Sequence, residues 1–258
     1  MIKIVTGSFL VLVSGLSLAQ QSVNLPSPTS TGVVVPDRTV TLAAKIVGRV
    51  VAVNADEGDR VSMGDIIVDI GDAELRANLA GAEARLRMEE VSLAHQEKLA
   101  ERVRSLREQG TVSAENLDDA VFKVEAGQQA VAMARAEVAR ARAMLGETKI
   151  RAPFDGVIIR KDIEIGDVTA PGEPLLVLED HATLLFRTNV KEQDIPRIQK
   201  GQAITVTIDA LDDLALAATI TRIVPSGNLS THEFLVEATL PPQDRLYPGM
   251  FGKAEFTD

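Results

Sequence analysis

The spacing of apolar residues changes twice along the chain and divides it into three kinds of segment. Residues 72–148 contain no proline, and their apolar positions recur every three and four residues, which predicts helices. On both sides of this stretch, short β-branched runs alternate with glycine-containing turns, which predicts strands. From residue 184 onward, several short apolar runs separated by turn residues predict a small antiparallel barrel.

The second half of the helical stretch carries a strict heptad pattern, called the seam below. Its large residues fall seven apart, and a small residue follows each of the first four by three positions. The large residues are Leu117, Val124, Val131, Val138 and Leu145, and the small ones are Ala120, Gly127, Ala134 and Ala141. One large and one small residue per heptad is typical of a close-packed coiled coil.

The first half of the helical stretch repeats this pattern less regularly. Its apolar positions are Leu75, Leu79, Ala82, Leu86, Leu93, Ala100 and Val103, interrupted by Glu89 and Gln96. Two antiparallel helices joined near Gly110 satisfy both halves, and each would extend about 55 Å. Met88 and Met133 lie at similar distances from the joint. We expect these two methionines to pack within the hairpin and not to bind metal.

The strand segments on either side of the helices contain one motif twice, at a constant offset. Three glycines and one aspartate recur: Gly48, Gly58, Asp59 and Gly64 in the first copy, and Gly156, Gly166, Asp167 and Gly172 in the second. Each copy predicts a strand, a turn and a second strand, with glycine as a structural turn residue. Because one copy is too short to bury a core, the two should pack together and push the helices outward.

The duplicated motif resembles the split biotinyl/lipoyl domain of periplasmic adaptors, also called membrane fusion proteins (HlyD-like). The phrases Glu57–Val61 and Arg151–Ile158 are close to the wording usual in that family. Near the end of the chain, Leu246–Phe251 resembles the family's Leu-x-Pro-Gly-Met-x signature, in which Pro248 and Gly249 form a turn. The resemblance implies an elongated α+β protein with three modules: a split lipoyl-like β-sandwich, an inserted antiparallel coiled-coil hairpin, and a small antiparallel β-barrel.

Patterns and resemblance together predict the module boundaries. They are a signal peptide at 1–19, a flexible lead-in at 20–31, the barrel at 32–44 and 182–258, the lipoyl-like domain at 45–71 and 149–181, and the hairpin at 72–148. The first segment combines Lys3, a short apolar run and a small-x-small site ending at Ala19, which is typical of a cleaved secretory signal. An uncleaved N-terminal anchor is the alternative. Both place the protein in the periplasm. It is associated with the inner membrane through its partner, and in the alternative the uncleaved segment anchors it there.

The joint between the two helices carries the sharpest functional motif. Arg102, Leu106 and Ser113 fit the Arg-x3-Leu-x6-Ser pattern of adaptors that dock onto TolC-like outer-membrane channels. The resemblance implies that these residues, with Gly110 at the turn, contact such a channel. A leucine exposed at a hairpin turn can bury itself in a partner's groove, while an arginine supplies directional hydrogen bonds. Ser113 also fits the N-cap of the second helix, and the two roles are compatible.

Composition argues against enzymes and nucleic-acid-binding proteins. Aromatic residues make up 3% of the chain, which leaves little surface for substrate pockets or base stacking. A net charge of −10 disfavours binding to a phosphate backbone, and the absence of cysteine excludes thiolate chemistry. The three histidines, His95, His181 and His232, lack metal-ligand spacing, and no phosphate loop or nucleophile elbow occurs. We therefore predict no catalytic residue, no metal and no cofactor.

The preferred interpretation is an adaptor subunit of a tripartite export system. Its expected partners are an inner-membrane RND transporter, a TolC-like channel, and further copies of itself in a ring, as a hexamer or a trimer of dimers. An ABC-type exporter is the alternative inner-membrane partner. The chain ends soon after the barrel, so we expect the membrane-proximal surface that usually contacts an RND pump to be reduced or supplied otherwise.

Two interpretations from other classes explain less. A biotin or lipoate carrier needs a modifiable lysine between the two half-motifs, and Gly71–Glu74 contains none. A structural coiled-coil protein would account for the helices, but for neither the duplicated motif nor the Pro-Gly-Met signature.

Overall fold

The structure is a computed structural model that describes residues 27–256. The predicted signal peptide, 1–19, and the larger part of the predicted lead-in, 20–31, lie outside the described residues. The elements in chain order are β1 (Thr29–Pro36), β2 (Thr39–Ala43), β3 (Gly48–Val53), β4 (Arg60–Val61), β5 (Ile66–Ile70), α1 (Ala73–Glu108), α2 (Ala114–Gly146), β6 (Lys149–Arg151), β7 (Gly156–Lys161), β8 (Val168–Thr169), β9 (Pro174–Glu179), β10 (Leu184–Lys191), β11 (Ala203–Ile208), β12 (Leu214–Ile223), β13 (Glu233–Thr239) and β14 (Phe251–Phe256). Two short 3-10 helices, Ile195–Arg197 and Asp209–Leu211, flank β11.

The two motif copies build one β-sandwich. Its sheets have the strand orders β2-β9-β7-β4 and β6-β5-β3-β8, with antiparallel pairing. Each sheet contains strands of both copies, because β8 pairs with β3 and β4 pairs with β7. Neither copy therefore completes a sheet without the other, which confirms the predicted split sandwich.

Four turns of the sandwich share one geometry, and each contains a glycine followed directly by an acidic residue. In the first, the Asp59 amide donates to the Asp56 carbonyl (3.1 Å), while the Asp59 carboxylate accepts from the Asp56 amide (2.9 Å). Gly58 occupies the position of positive φ, at +92°. The other three turns have the same positive φ at Gly64, Gly166 and Gly172. The recurring glycine supplies this backbone conformation, and the acidic residue after it caps the turn.

Gly48 and Gly156 do not lie in turns, so the prediction for these two glycines is wrong. They are the first residues of β3 and β7. A Cβ added to Gly48 would lie 2.4 Å from Cγ2 of Ile70, and one added to Gly156 would lie 2.4 Å from the carbonyl oxygen of Glu179. Glycine is needed at both positions because the neighbouring strand approaches too closely for a side chain.

The barrel closes six strands in the order β1-β10-β13-β12-β11-β14. Its core includes Phe186 and Phe256, both almost fully buried, whereas the sandwich core is largely aliphatic. Before β14, Pro248 and Gly249 form a turn in which the Met250 amide donates to the Tyr247 carbonyl and Gly249 has a φ of +89°. Proline followed by a glycine of positive φ is the arrangement of a type II turn.

The boundary between barrel and sandwich differs from the prediction, which assigned residues 32–44 to the barrel. Only β1 belongs to the barrel, whereas β2 pairs with β9 inside the sandwich. β1 also begins at Thr29, within the predicted flexible lead-in. The chain leaves the barrel at Asp37 and enters the sandwich at Thr39, so the range predicted for one module is divided between two.

A short ribbon joins the two modules at this crossing. The Asp37 amide donates to the Thr183 carbonyl (3.0 Å), and the Asp180 amide donates to the Arg38 carbonyl (2.9 Å). The Arg38 guanidinium binds the buried Asp180 carboxylate at 2.6 Å and stacks over the ring of Phe154, 4.4 Å from its centroid. These contacts tie the connection between the modules to the core of the sandwich.

The inserted hairpin buries the predicted seam. All nine seam positions of α2 are buried or half-buried, and Ala120, Val131, Ala134 and Val138 are the most enclosed. On α1, Glu89 and Gln96 occupy seam positions and are half-buried. A Cβ added to Gly127 would lie 2.3 Å from the side-chain oxygen of Gln96, so this glycine makes room for the amide. The hairpin, sandwich and barrel together confirm the predicted fold class.

Met88 and Met133 lie outside the seam, with exposed fractions of 62% and 72%. The expectation that they pack within the hairpin is therefore wrong, because the seam closes without them.

Candidate functional site at the hairpin tip

A glycine ends the first helix and reverses the chain. The Thr111 amide donates to the Leu106 carbonyl (3.0 Å), and the Gly110 amide donates to the Arg107 carbonyl (2.9 Å). Gly110 itself has a φ of +74°. These two hydrogen bonds and the left-handed residue form a Schellman motif, which satisfies the last carbonyls of α1. Gly110 therefore sets the direction in which the chain leaves the helix.

Ser113 starts the second helix as its N-cap. Its backbone is extended (φ −72°, ψ 163°), and its hydroxyl oxygen accepts a hydrogen bond from the Asn116 amide at 3.2 Å. Such a cap is worth about 1 kcal/mol to the helix. The side chain is exposed, so the hydroxyl hydrogen stays available to a second molecule. Capping and contact with a partner are thus compatible at this residue.

Arg102 lies on α1 about 6 Å below Leu106 along the helix axis. It is exposed, and within residues 27–256 its guanidinium makes neither a hydrogen bond nor an ion pair. Its neighbours are engaged: Arg104 binds Glu101 at 2.7 Å, and Arg107 donates to the Val112 carbonyl at 3.2 Å. Arg102 is the arginine of this helix end whose donors are free for a partner.

Leu106 is half-buried, whereas the sequence predicted an exposed leucine. It follows Val103 by three residues, which turns part of its surface toward α2. The remaining surface is open to solvent beside the turn. Sequence reasoning also missed Arg107. Its guanidinium donates a hydrogen bond to the Val112 carbonyl, which holds the turn to the end of α1. The sequence feature that could have identified Arg107 is its position in the last turn of α1, where basic side chains often bind free backbone carbonyls.

Charge is divided across the tip. The end of α1 carries three arginines, Arg102, Arg104 and Arg107, and the start of α2 carries Glu115, Asp118 and Asp119. Both groups complement the helix dipoles, because cations are favoured at a helix C-terminus and anions at an N-terminus. With Glu101 and Glu108 included, the end of α1 carries a small net positive charge and the start of α2 a negative one.

The histidines are separated in space as well as in sequence. His181 lies 3.2 Å from Glu179 at the junction of sandwich and barrel, and His232 lies 3.7 Å from Glu192. Across residues 27–256, no three histidine or acidic side chains form a group able to hold a metal ion. The strand end at Gly71 leads directly into α1, and none of the residues 71–74 is a lysine.

Neither helix of the described region combines the length and the hydropathy required to cross a bilayer.

Two family models match the chain. Residues 38–180 match the model described as the CzcB-like, barrel-sandwich hybrid domain, and residues 186–258 match the CusB-like, beta-barrel domain. The first match spans more than half of the chain and includes the sandwich and the whole hairpin.

Similar proteins come from several bacteria. An uncharacterized protein of Haemophilus influenzae is 28% identical over 230 residues, which cover 88% of this chain and 56% of that protein. The cobalt-zinc-cadmium resistance protein CzcB of Cupriavidus metallidurans is 28% identical over 220 residues, which cover 83% of this chain and 42% of CzcB. The chain spans about half the length of the curated relatives it matches.

Among solved structures, MacA from Actinobacillus actinomycetemcomitans shares the fold. The TM-score is 0.73 at 21% identity, over 90% of this chain and 79% of the MacA chain.

Proposed function

The chain belongs to the membrane fusion proteins, the periplasmic adaptors of efflux systems, and we propose that it is the adaptor subunit of a tripartite exporter. In this role it bridges an inner-membrane transporter and a TolC-like outer-membrane channel. Energy comes from the transporter, while the adaptor seals the path and transmits conformational change. It performs no catalysis and carries no cofactor.

The observation that carries this proposal is the free tip of the hairpin. Arg102 and the open surface of Leu106 stand at the far end of an arm about 55 Å long, anchored in the sandwich through β5 and β6. A partner held at this tip would be separated from the barrel by the arm and the sandwich. Such a geometry favours a bridging protein over one that binds a small molecule in a cleft.

Each tip residue has a separate role in channel docking. Arg102 donates hydrogen bonds to carbonyl or carboxylate groups of the channel. Leu106 buries its open surface in a groove between channel helices. Gly110 permits the tight reversal, and Ser113 keeps the second helix capped while its hydroxyl reaches the channel.

The inner-membrane partner is an RND-type transporter. The barrel supports this choice. Residues 186–258 match the family model of the CusB-like, beta-barrel domain, and the name of that family model includes the term RND. An ABC-type exporter is the second candidate, and the similarity to MacA is one of fold, which leaves the transporter class to experiment.

Several copies assemble into a ring on the transporter, as a hexamer or a trimer of dimers. The protein works in the periplasm, where adaptors of this family are found, and is held at the inner membrane by its transporter.

A photoreactive amino acid at Ser113 tests the proposal in cells. We expect ultraviolet light to link it to an outer-membrane channel, with the transporter recovered in the same membrane complex and identified by mass spectrometry. The same amino acid at Gln128, exposed but more than three turns from the tip, is the matched control and should give no channel adduct. Absence of any channel adduct from position 113, in a strain that exports normally, would overturn the docking assignment.

Leu106→Asp tests the apolar contact. A carboxylate at the tip cannot enter an apolar groove, so export should fall at least tenfold while circular dichroism and thermal unfolding stay unchanged. Ser105→Asp adds the same charge one residue away on the outer face of α1 and should leave export intact. Normal export by the Leu106 variant would contradict the proposed role of this residue.

A further inference from the structure

Three charged side chains form a row across the outer wall of the barrel, called the arginine row below. Arg187 of β10 and Arg222 of β12 are the register partners of Glu237, which lies on the strand between them. Val236 and Ala238 belong to the barrel core, so Glu237 between them lies on the outer face. Both arginines are exposed, whereas Glu237 keeps only 2% of its surface. The row therefore has a buried carboxylate at its centre and an exposed guanidinium at each end.

An irregularity in β12 brings Arg222 into this row. Ile220 pairs with Ala238, and regular pairing would next set Thr221 opposite Glu237. The register shifts between Ile220 and Arg222, so Arg222 takes that place instead. Thr221 donates its hydroxyl hydrogen to the Glu237 carbonyl at 3.3 Å. A bulge of this kind re-aims a side chain, and such bulges are often found beside functional sites.

Glu237 holds both guanidiniums by their Nε atoms. Arg187 donates from Nε to Oε1 of Glu237 at 2.9 Å, and its Nη2 lies 2.9 Å from the same oxygen. Nε of Arg222 lies 3.2 Å from Oε2, yet this buried oxygen accepts no hydrogen bond within residues 27–256. In the same described range, neither arginine has another hydrogen bond or ion pair. Most of the N–H donors of the two guanidiniums are therefore free.

The charge of the arginine row is unbalanced. Two guanidiniums face one carboxylate, which leaves a local positive charge in a chain whose formal net charge is −10. Within Leu214–Ile223 of β12, Arg222 alone is charged, and β1 on the other side of β10 contains no charged residue. Lys191 of β10 lies opposite Glu233, so this nearby pair adds no net charge. The neighbouring strands therefore leave the positive charge of the row uncompensated.

A row built only for stability would have a different composition, as the ion pair at the ribbon shows. There, one guanidinium, that of Arg38, binds one carboxylate, that of Asp180. Both carboxylate oxygens are satisfied, because the Ala182 amide donates to the second one at 2.9 Å. Buried polar atoms are normally paired in this way. In the arginine row, one carboxylate oxygen lacks a hydrogen bond and the positive charge is in excess.

We propose that Arg187 and Arg222 bind a phosphate group on the outer face of the barrel, and that Glu237 is the positioning residue that sets their spacing. Guanidiniums held in place before the ligand arrives lose less conformational freedom on binding. A tetrahedral phosphate has enough oxygens to accept hydrogen bonds from both arginines, whereas a carboxylate offers two oxygens in one plane. The phosphate group belongs either to a phospholipid headgroup or to a soluble phosphate compound, which present the same chemistry. This site goes beyond the role in export and does not depend on it.

Titration of the full-length protein with inorganic phosphate tests the site. The Nε–Hε signals of the arginines are followed by NMR at constant ionic strength, and are assigned with Arg187→Lys and Arg222→Lys. Arg160 is the matched internal control, because it is also exposed and its Nε also binds a carboxylate, that of Asp162 at 2.8 Å. We expect the Arg187 and Arg222 signals to shift together, with a dissociation constant roughly tenfold or more below that at Arg160.

A pair of variants tests whether the two arginines act together. Arg222→Gln should weaken phosphate binding at Arg187 by roughly tenfold, whereas Arg160→Gln should leave it unchanged. Thermal unfolding checks that both variants are folded. Because the signals of the wild type are also compared with one another, a variant that fails to fold does not remove the test. Equal dissociation constants at all three arginines of the wild type would overturn the proposal.

Flotation with vesicles of phosphatidylglycerol distinguishes the two sources of the phosphate group. Flotation of the wild type that is lost in Arg222→Gln would support the site and assign a lipid headgroup. Saturation by inorganic phosphate without flotation would support the site and assign a soluble compound. Neither result depends on a channel adduct at position 113, so failure of this site and failure of the proposed function are distinguishable.

Discussion

The sandwich and the hairpin bury their apolar side chains to different extents. In the sandwich, strands far apart in sequence pair with one another, and side chains such as Ile158, Leu175 and Leu178 have no exposed surface. In the hairpin, the seam is one residue wide, and most of its large residues remain partly exposed. The difference indicates that the sandwich has a core closed to solvent, whereas the hairpin leaves most of its surface exposed.

The largest effect should come from the sandwich core. Leu176→Ala removes a fully buried side chain and leaves a cavity, so we expect a loss of about 3 kcal/mol in the free energy of unfolding. Leu86→Ala makes the same chemical change in the half-buried seam and should cost about 1 kcal/mol. Urea unfolding followed by circular dichroism measures both. Equal losses would contradict the contrast between sandwich and hairpin.

A second effect, of intermediate size, is expected at the ribbon between sandwich and barrel. Burial by itself raises the pKa of Asp180, but hydrogen bonds from Arg38 and from the Ala182 amide outweigh it and hold that pKa below its ordinary value. A carboxylate with a lowered pKa stabilises the fold at neutral pH. That contribution is lost as the pH falls from about 3.9, the usual pKa of an unfolded aspartate, through the folded pKa.

Asp180→Asn should therefore cost about 2 kcal/mol at pH 7 and less at pH 3, because the stabilising carboxylate is progressively lost as the pH falls through its lowered pKa. Denaturant titrations at the two pH values give the comparison. Asp162→Asn, which removes an exposed ion pair with Arg160, is the matched control and should cost less than about 0.5 kcal/mol at either pH. A pH-independent loss for the Asp180 variant would exclude the charge as its cause.

The smallest effect belongs to the seam of the arm. Gly127→Ala gains helix propensity of about 1 kcal/mol, but its methyl group must displace the Gln96 amide, so the net change should stay within about 0.5 kcal/mol. In a Gln96→Ala background the main obstacle is gone, and Cδ1 of Leu93, 3.2 Å from the added Cβ, remains as a smaller one. The same substitution should then stabilise the hairpin by about 0.5–1 kcal/mol. Thermal unfolding of the wild type, the two single variants and the double variant gives the coupling free energy between positions 96 and 127. Identical effects in both backgrounds would show that Gln96 does not restrict this position.

Much of the candidate site was predictable from sequence because it depends on local geometry. The Arg102, Leu106 and Ser113 spacing, the glycine at the reversal and the serine cap all lie within a dozen residues. Their hydrogen bonds join near neighbours in the chain. Whether a side chain is exposed depends on the other helix as well, so the half-burial of Leu106 and the free guanidinium of Arg102 emerged only from the packed hairpin.

The helices of the arm and the turns of the sandwich follow from local sequence. Helical periodicity and the positive φ of glycine are properties of a residue and its immediate neighbours, so the seam residues and the turns at Gly58 and Gly166 can be recognised in a single chain. Three features became clear from the folded protein alone: where residues 39–43 pair, why Gly48 has no side chain, and that Met88 is exposed. Those outcomes depend on contacts between segments distant in sequence, and a local pattern does not specify the partner.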